Sequence, residues 1–213
     1  MNQIFSKVFM WLFVGLALTF GIAYTVSGNE TMIYNLFSGG KYLLIWAIEF
    51  IVVIVLCTRI NKMSFMTAVI LFLLYSGLTG LTLSSIFILY EISSIVWVFG
   101  IAAGLFLIFG LIGYFTKIDL TKFGTFLLMG LLALIVAMII NMFVGNESFD
   151  IMLCIVGIVI FLGYIAYDIQ LIKNQMQVIE DEDKLAIYGA FQLYLDFINL
   201  FLRLLRLFGN RKN

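Results

Sequence analysis

Glu49, Asp168 and Asp196 stand inside long apolar stretches, whereas Glu30, Glu91, Asp119, Glu147, Asp150 and the run Glu180 to Asp183 fall in polar breaks. A carboxylate that faces hydrocarbon is costly, so each of the three marks an ion path, a sensor or a structural ion pair. Two aspartates brought together away from water resist being ionised at the same time. Such a pair holds one proton over some pH range and titrates as a unit. With that proton gone, its oxygens make a hard site suited to transient calcium. Arg59 ends another apolar stretch and is always charged. It reads in two ways: as a latch that pairs with one aspartate until that aspartate takes up a proton, or as an ordinary basic anchor at the membrane surface.

Asp196 also belongs to a pattern. Tyr188 to Phe208 reads YGAFQLYLDFINLFLRLLRLF. At about 100° per residue, Gln192, Asp196, Asn199, Arg203 and Arg206 share one arc of roughly 80° on a helix that is otherwise Leu, Phe, Ile and Tyr. A polar stripe on an apolar helix must face protein or a water-filled cavity. This helix is therefore expected at the centre of a bundle, with Gln192, Asn199 and Arg203 lining any path and the other helices as its wall.

Composition sets the class and removes several chemistries. Of 213 residues, 64% are hydrophobic and 11% charged, against about 25% charged in a soluble domain. The expected class is an all-α integral membrane protein in contact with the lipid bilayer. Twelve basic residues balance twelve acidic ones, which argues against nucleic acid as a partner. With no His in the chain, there is no Ser-His or Cys-His dyad, no HExxH metal site and no histidine-ligated haem. No enzyme activity and no resident cofactor are expected. Cys57 and Cys154 lie in separate apolar segments without CxxC spacing and read as inert thiols. Pro is absent, so Pro-broken transporter helices are not indicated.

A membrane span needs about 20 apolar residues, and seven candidates line up in one polytopic domain covering residues 1–213. They run from about 8 to 27, 42 to 57, 65 to 90, 94 to 115, 123 to 144, 151 to 172 and 188 to 208. The first follows Lys7 but lacks a small-x-small cleavage site, so it is read as a retained helix. Lys7, Arg59, Lys62, Lys117, Lys122, Lys173 and Lys184 fall in the N-terminal tail and the even-numbered connections, while the odd ones hold only Lys41. The positive-inside rule then puts the N-terminus in the cytoplasm. Arg203, Arg206, Arg211 and Lys212 conflict with that rule if seven spans leave the C-terminus outside. Six spans with one re-entrant segment is the alternative. The connections Gly28 to Lys41 and Lys173 to Ile187 are the longest, and the acidic run in the second reads as a solvated loop or as a cation-recruiting mouth. Gly100, Gly104, Gly77, Gly80, Gly110 and Gly113 read as close-packing positions.

These spans put the two aspartates at similar depth. Asp168 stands about four residues before the cytoplasmic end of the sixth span, roughly 6 Å in, and Asp196 about eight residues into the seventh, roughly 12 Å in. An error of one helical turn in the boundaries covers the difference. Arg59 ends the second span at about the depth of Asp168.

Gly163-Tyr-Ile-Ala-Tyr-Asp168-Ile-Gln170, followed by Leu193-Tyr-Leu-Asp196-Phe-Ile-Asn199-Leu-Phe and a Leu-Leu-Arg ending, resembles the Bax inhibitor family in a bacterial form. Gly113 to Thr121, with Lys117 and Asp119-Leu120, fits the end of that family's fourth helix. The resemblance covers the chain from the first span onward. It implies a seven-transmembrane-helix bundle with the C-terminal helix at the centre, in the bacterial cell (inner) membrane, and a pH-sensitive calcium leak. Carried over by position, Asp168 and Asp196 look like the paired aspartate sensor, Arg59 like the latch and Glu49 like a further acid in the pore. Ile169 stands where Thr is commoner, and Arg59 has only Lys62 as a basic neighbour.

Three functions compete on this reading. The first is a channel for calcium, governed by protons at the aspartate pair, with opening in acid favoured by the resemblance alone. The second is a non-conducting regulator that binds an integral-membrane partner such as a protease, in which the stripe is glue between helices. The third, proton-coupled solute transport, would need a substrate cavity, and no half-helix signature for one is present.

Overall fold

The computed structural model describes residues 2–59, 62–176 and 181–212. Its elements are α1 (Asn2–Ser27), α2 (Glu30–Phe37), α3 (Lys41–Arg59), α4 (Phe65–Leu89), α5 (Ile92–Phe115), a 3-10 turn (Leu120–Phe123), α6 (Gly124–Val144), α7 (Glu147–Gln175) and α8 (Glu182–Phe208). No strand occurs among the described residues, only an isolated antiparallel bridge between Tyr90 and Arg211. Every one of these helices except α2 is long and apolar enough to cross a membrane, which gives seven spans. Helix is the form available to such segments, because a backbone in hydrocarbon must satisfy its own N–H and C=O groups.

The helices overrun the apolar stretches from which they were anticipated. The first starts at Asn2 rather than Val8, and the last at Glu182 rather than Tyr188. The sixth span extends from Glu147 to Gln175, beyond the expected Ile151 and Ile172. Polar residues end a hydrophobic run without ending a helix. Glu182 and Asp183 in the first turn of α8, like Glu147 and Asp150 in that of α7, lie where the helix dipole favours negative charge. The anticipated loop from Lys173 to Ile187 is shortened accordingly, and Glu180 lies outside the described residues. The anticipated loop from Gly28 to Lys41 holds α2, whose Asn29 side chain accepts from Met32 N–H at 3.1 Å.

Local chemistry sets the tight turns. Gly145, at φ 68°, ends α6 in the left-handed region, and its N–H reaches Asn141 O at 2.7 Å. Asn146 then caps α7 by accepting from Phe149 N–H.

Two compact units share α8. One comprises residues 1–92, 179–194 and 211–213, the other residues 93–178 and 195–210. In the first, α1 lies along α4. A Cβ added at Gly80 would stand 2.7 Å from Thr19 O, so bare backbone is what permits the approach. Phe72, Tyr75, Phe191 and Tyr194 pack edge to face at 5.5 to 6.2 Å. In the second, Gly113 seats α5 against the backbone of Ala166, and Phe99 and Phe106 meet Phe197 edge to face. Gly100 and Gly104, both anticipated as close-packing positions, have no atom within 4 Å of an added Cβ. Of the six glycines anticipated at close approaches, Gly80 and Gly113 are the ones that meet backbone.

Burial separates α8 from the rest. In its most apolar stretch 72% of residues are buried, against 39% at most in the other spans and 11% in α3 and α6. The outward faces of α3 and α6 carry large apolar side chains such as Trp46, Phe50, Phe126 and Phe143, as lipid contact requires.

Candidate functional site

Asp168 and Asp196 belong to the same unit. Asp168 stands in the last two turns of α7 and Asp196 midway along α8, at 4% and 5% exposure. Their carboxyl groups stand close enough to interact directly, within reach of a shared hydrogen bond. Two carboxyls form such a bond only while a proton lies between them. Asp196 Oδ2 is buried and receives no hydrogen bond from an N–H or hydroxyl of the described residues. The phenols of Tyr164 and Tyr167 stand close enough to Asp168 to interact electrostatically, and Tyr164 also interacts with Asp196. No ion pair to either aspartate is found among the described residues. The pair is thus an acid site without a local cation. It offers its oxygens to a proton or, once deprotonated, to a hard cation.

A neighbouring clamp fixes the end of α7. The side chain of Gln170, itself buried, donates from Nε2 to Ile118 O at 2.8 Å and accepts from Leu120 N–H at 2.7 Å. Lys173 Nζ donates to Tyr114 O at 2.7 Å and lies 4.7 Å from the Tyr114 ring centroid. Both contacts hold α7 to the end of α5 and the following turn, which sets the height of Asp168.

Glu49 belongs to the other unit and has different company. The Thr79 hydroxyl donates to Glu49 Oε1 at 2.7 Å, while Oε2 is buried without a hydrogen-bond partner among the described residues. A string of hydroxyls continues from there. Thr79 interacts with Tyr75 and Tyr194, and Tyr194 OH lies 2.6 Å from Thr19 Oγ1, which donates to Ser76 O. Sequence reasoning singled out none of Thr19, Ser76, Thr79 or Tyr194. The signal was there in Ser76, Thr79 and Ser84, which with Thr82 make a hydroxyl-rich run in an otherwise apolar span.

The stripe on α8 is real in sequence and divided in use. Gln192 is half-buried, with Oε1 buried and without a partner among the described residues. Asn199 turns its amide onto its own helix and donates to Leu195 O at 2.8 Å. Arg203 enters a slot left by Gly157, next to Cys154, and donates to Met138 Sδ at 2.8 Å. Arg206 pairs with Asp150. Arg59, at the end of α3, is exposed and makes no ion pair among the described residues.

Comparisons with known proteins converge. The profile of the family described as Bax1-I, Inhibitor of apoptosis-promoting Bax1, matches residues 1–213. The chain is 43% identical to a protein of Borreliella burgdorferi over 100% of its own length and 94% of that protein. It is 42% identical to the inner membrane protein YbhL of Escherichia coli, covering 97% of this chain and 91% of YbhL. A membrane protein of Streptococcus pyogenes is 32% identical over 98% of this chain and 93% of its own.

Proposed function

The chain belongs to the Bax inhibitor family of multi-pass membrane proteins, and from that premise we propose that it is a pH-sensitive calcium leak channel in which Asp168 and Asp196 are the proton sensor. The observation that carries this reading is the buried carboxyl pair with no ion-paired cation among the described residues. A proton shared by two such groups is the simplest way to keep both out of water. Its loss leaves adjacent negative charges that must separate or take up a cation. Calcium, a hard ion served by carboxylate oxygens, fits the second outcome as a passing ion rather than a resident cofactor.

Other residues take supporting parts in this proposal. Glu49 is a second acid on the route, Gln192, Asn199 and Arg203 line it, and Arg59 is the cation that pairs with one aspartate in a closed state. The protein acts as a conduit and not as an enzyme. We place it in the bacterial inner membrane with its N-terminus in the cytoplasm. In the basic C-terminal end, which opposes that orientation, Arg206 is paired with Asp150 and the Lys212 ammonium donates to Phe87 O.

The test is calcium flux from liposomes across a pH series near neutrality. Wild-type protein should conduct with a pH-dependent rate, and the double variant Asp168→Asn, Asp196→Asn should lose that dependence. An unchanged pH profile in the double variant rejects the sensor. The second reading, a non-conducting regulator of an integral-membrane partner, draws on the stripe itself. Asn199, Arg203 and Arg206 each bond to protein groups, as inter- and intrahelical glue would. Absence of flux together with a copurifying membrane protein would favour it.

A further inference from the structure

Lys41 is the first residue of α3, exposed, and without an ion pair among the described residues. It stands at the mouth of a cavity of about 330 Å³ in the unit built from α1 to α4. Asn35 is the other polar residue of the lining, and Val26, Met32, Leu36, Ile45 and Leu81 form its apolar part. A volume of that order is at the small end of ligand sites, which run from about 300 to 1,000 Å³. Leu81 lies eight residues before the end of α4, which at 1.5 Å per residue is about 12 Å below it. The cavity therefore has a polar, cationic end at the edge of the spans and an apolar end well inside them.

The cover of this cavity is itself suited to a membrane surface. Helix α2 buries none of its residues and, besides Met32 in the cavity lining, exposes Tyr34 and Phe37. A short helix between two spans with such a face lies along the interface, where Tyr is favoured and the apolar side dips toward the acyl chains. An interfacial α2 would set the Lys41 end among lipid headgroups and the Leu81 end beside hydrocarbon.

We propose that this cavity is a binding site for one anionic phospholipid, with the headgroup phosphate on Lys41 and Asn35 and an acyl segment running down toward Leu81. Neither a free phosphate nor a neutral lipid matches both ends. The phosphate alone leaves the apolar lining unfilled, and a zwitterionic headgroup brings its own cation to Lys41. The site is independent of the aspartate pair, and its test needs no ion flux.

Delipidated protein in detergent is exposed to phosphatidylglycerol or phosphatidylcholine with identical acyl chains, and native mass spectrometry counts the lipid retained. Wild-type protein should retain one phosphatidylglycerol with a preference of about fivefold, the factor expected from one basic residue near an anionic surface. Lys41→Gln, an exposed change that spares the fold, should abolish the preference, while Lys117→Gln should leave it intact. Ile45→Trp, which fills the cavity, should reduce retention of both lipids. Dihexanoyl phosphatidylglycerol should bind more weakly than the long-chain lipid, and this comparison covers the deep end even if Ile45→Trp does not fold. Excess inorganic phosphate should not displace the long-chain lipid. Equal retention of the two lipids by wild type, or a preference that survives Lys41→Gln, overturns the proposal. Equal affinity for short and long chains overturns the acyl part of it.

Discussion

Glu49 and Asp168 are both acids in apolar helices, and both are approached by other polar side chains, but the partners differ in kind. Thr79 gives Glu49 a hydroxyl donor at 2.7 Å. Asp168 is given another acid, Asp196. A hydroxyl bonds a carboxylate whatever the pH, whereas two carboxyls bond only through a proton taken from solution. The first arrangement is a fixture of the fold. The second depends on the medium, and that is why the proposed sensor is the pair rather than Glu49.

The largest expected effects test whether the two sites are separable. Gly113 lets α5 sit on the backbone of Ala166, two residues before Asp168, and Gly80 lets α4 sit on Thr19 O, next to Thr79. Gly113→Ala should destabilise by an amount at or above the top of the about 1–3 kcal/mol typical of overpacking, because backbone cannot yield as a side chain tip can. Gly80→Ala should cost somewhat less, its nearest contact being less severe. Thermal unfolding in detergent reads both. In flux assays Gly113→Ala should disturb the pH profile and Gly80→Ala should not. If both variants shift the pH profile equally, the comparison between the sites breaks.

A smaller and sharper change acts on the donors. Thr79→Val keeps the volume and removes the hydroxyl that donates to Glu49 Oε1 at 2.7 Å, leaving Thr82 as the hydroxyl that still interacts with the carboxyl. The expected loss is about 1–3 kcal/mol, the penalty for stranding a buried polar group. Asp168→Asn does the opposite at the pair, since the amide offers Asp196 a donor that needs no proton. Its stability should stay within about 1 kcal/mol of wild type, and should vary less with pH. A Thr79→Val protein as stable as wild type would remove the distinction drawn between the two acids.

Much of this was legible in the sequence, and what was not has a physical cause. The seven spans follow from apolar length, and Asp168 and Asp196 stand out as charges in such stretches. Their contact was reachable because antiparallel neighbours joined by a short connection put residues near that connection at matching depth. Helix ends were misjudged where Glu182 or Glu147 continues a helix beyond its apolar run, since hydropathy measures solvent preference and not backbone hydrogen bonding. The Gly100 and Gly104 pair misled for a related reason. Spacing identifies a surface that permits close approach, but which surface is approached depends on the partner, and here Gly113 and Gly80 meet backbone while Gly100 and Gly104 do not. Thr79 passed unnoticed because a hydroxyl in a membrane helix has a default use, bonding its own backbone, as Ser76 does with Phe72 O.

Asp119 supplies the control for the whole comparison, because it has donors like Glu49 but sits in water. The Thr121 N–H donates to its Oδ1 at 3.1 Å and the Thr121 hydroxyl reaches the same oxygen, capping the 3-10 turn that Gln170 grips through Leu120. Those two hydrogen bonds, the side-chain one foremost, hold the Asp119 carboxyl below its ordinary value. A carboxyl lowered in the folded state stabilises fully above the unfolded value of about 3.9 and loses that contribution as pH falls through the folded value. Asp119→Asn should therefore be slightly less stable than wild type near neutral pH, with the gap closing as pH falls through the lowered folded-state value. The size of that gap should be below that of Thr79→Val, since at the surface the Asn amide oxygen or water still accepts from Thr121, whereas water does not reach in to replace the Thr79 hydroxyl beside Glu49. Chemical denaturation at neutral pH and across an acid series measures it, and a gap at neutral pH larger than the Thr79→Val loss would mean that burial is not what gives the Glu49 donor its weight.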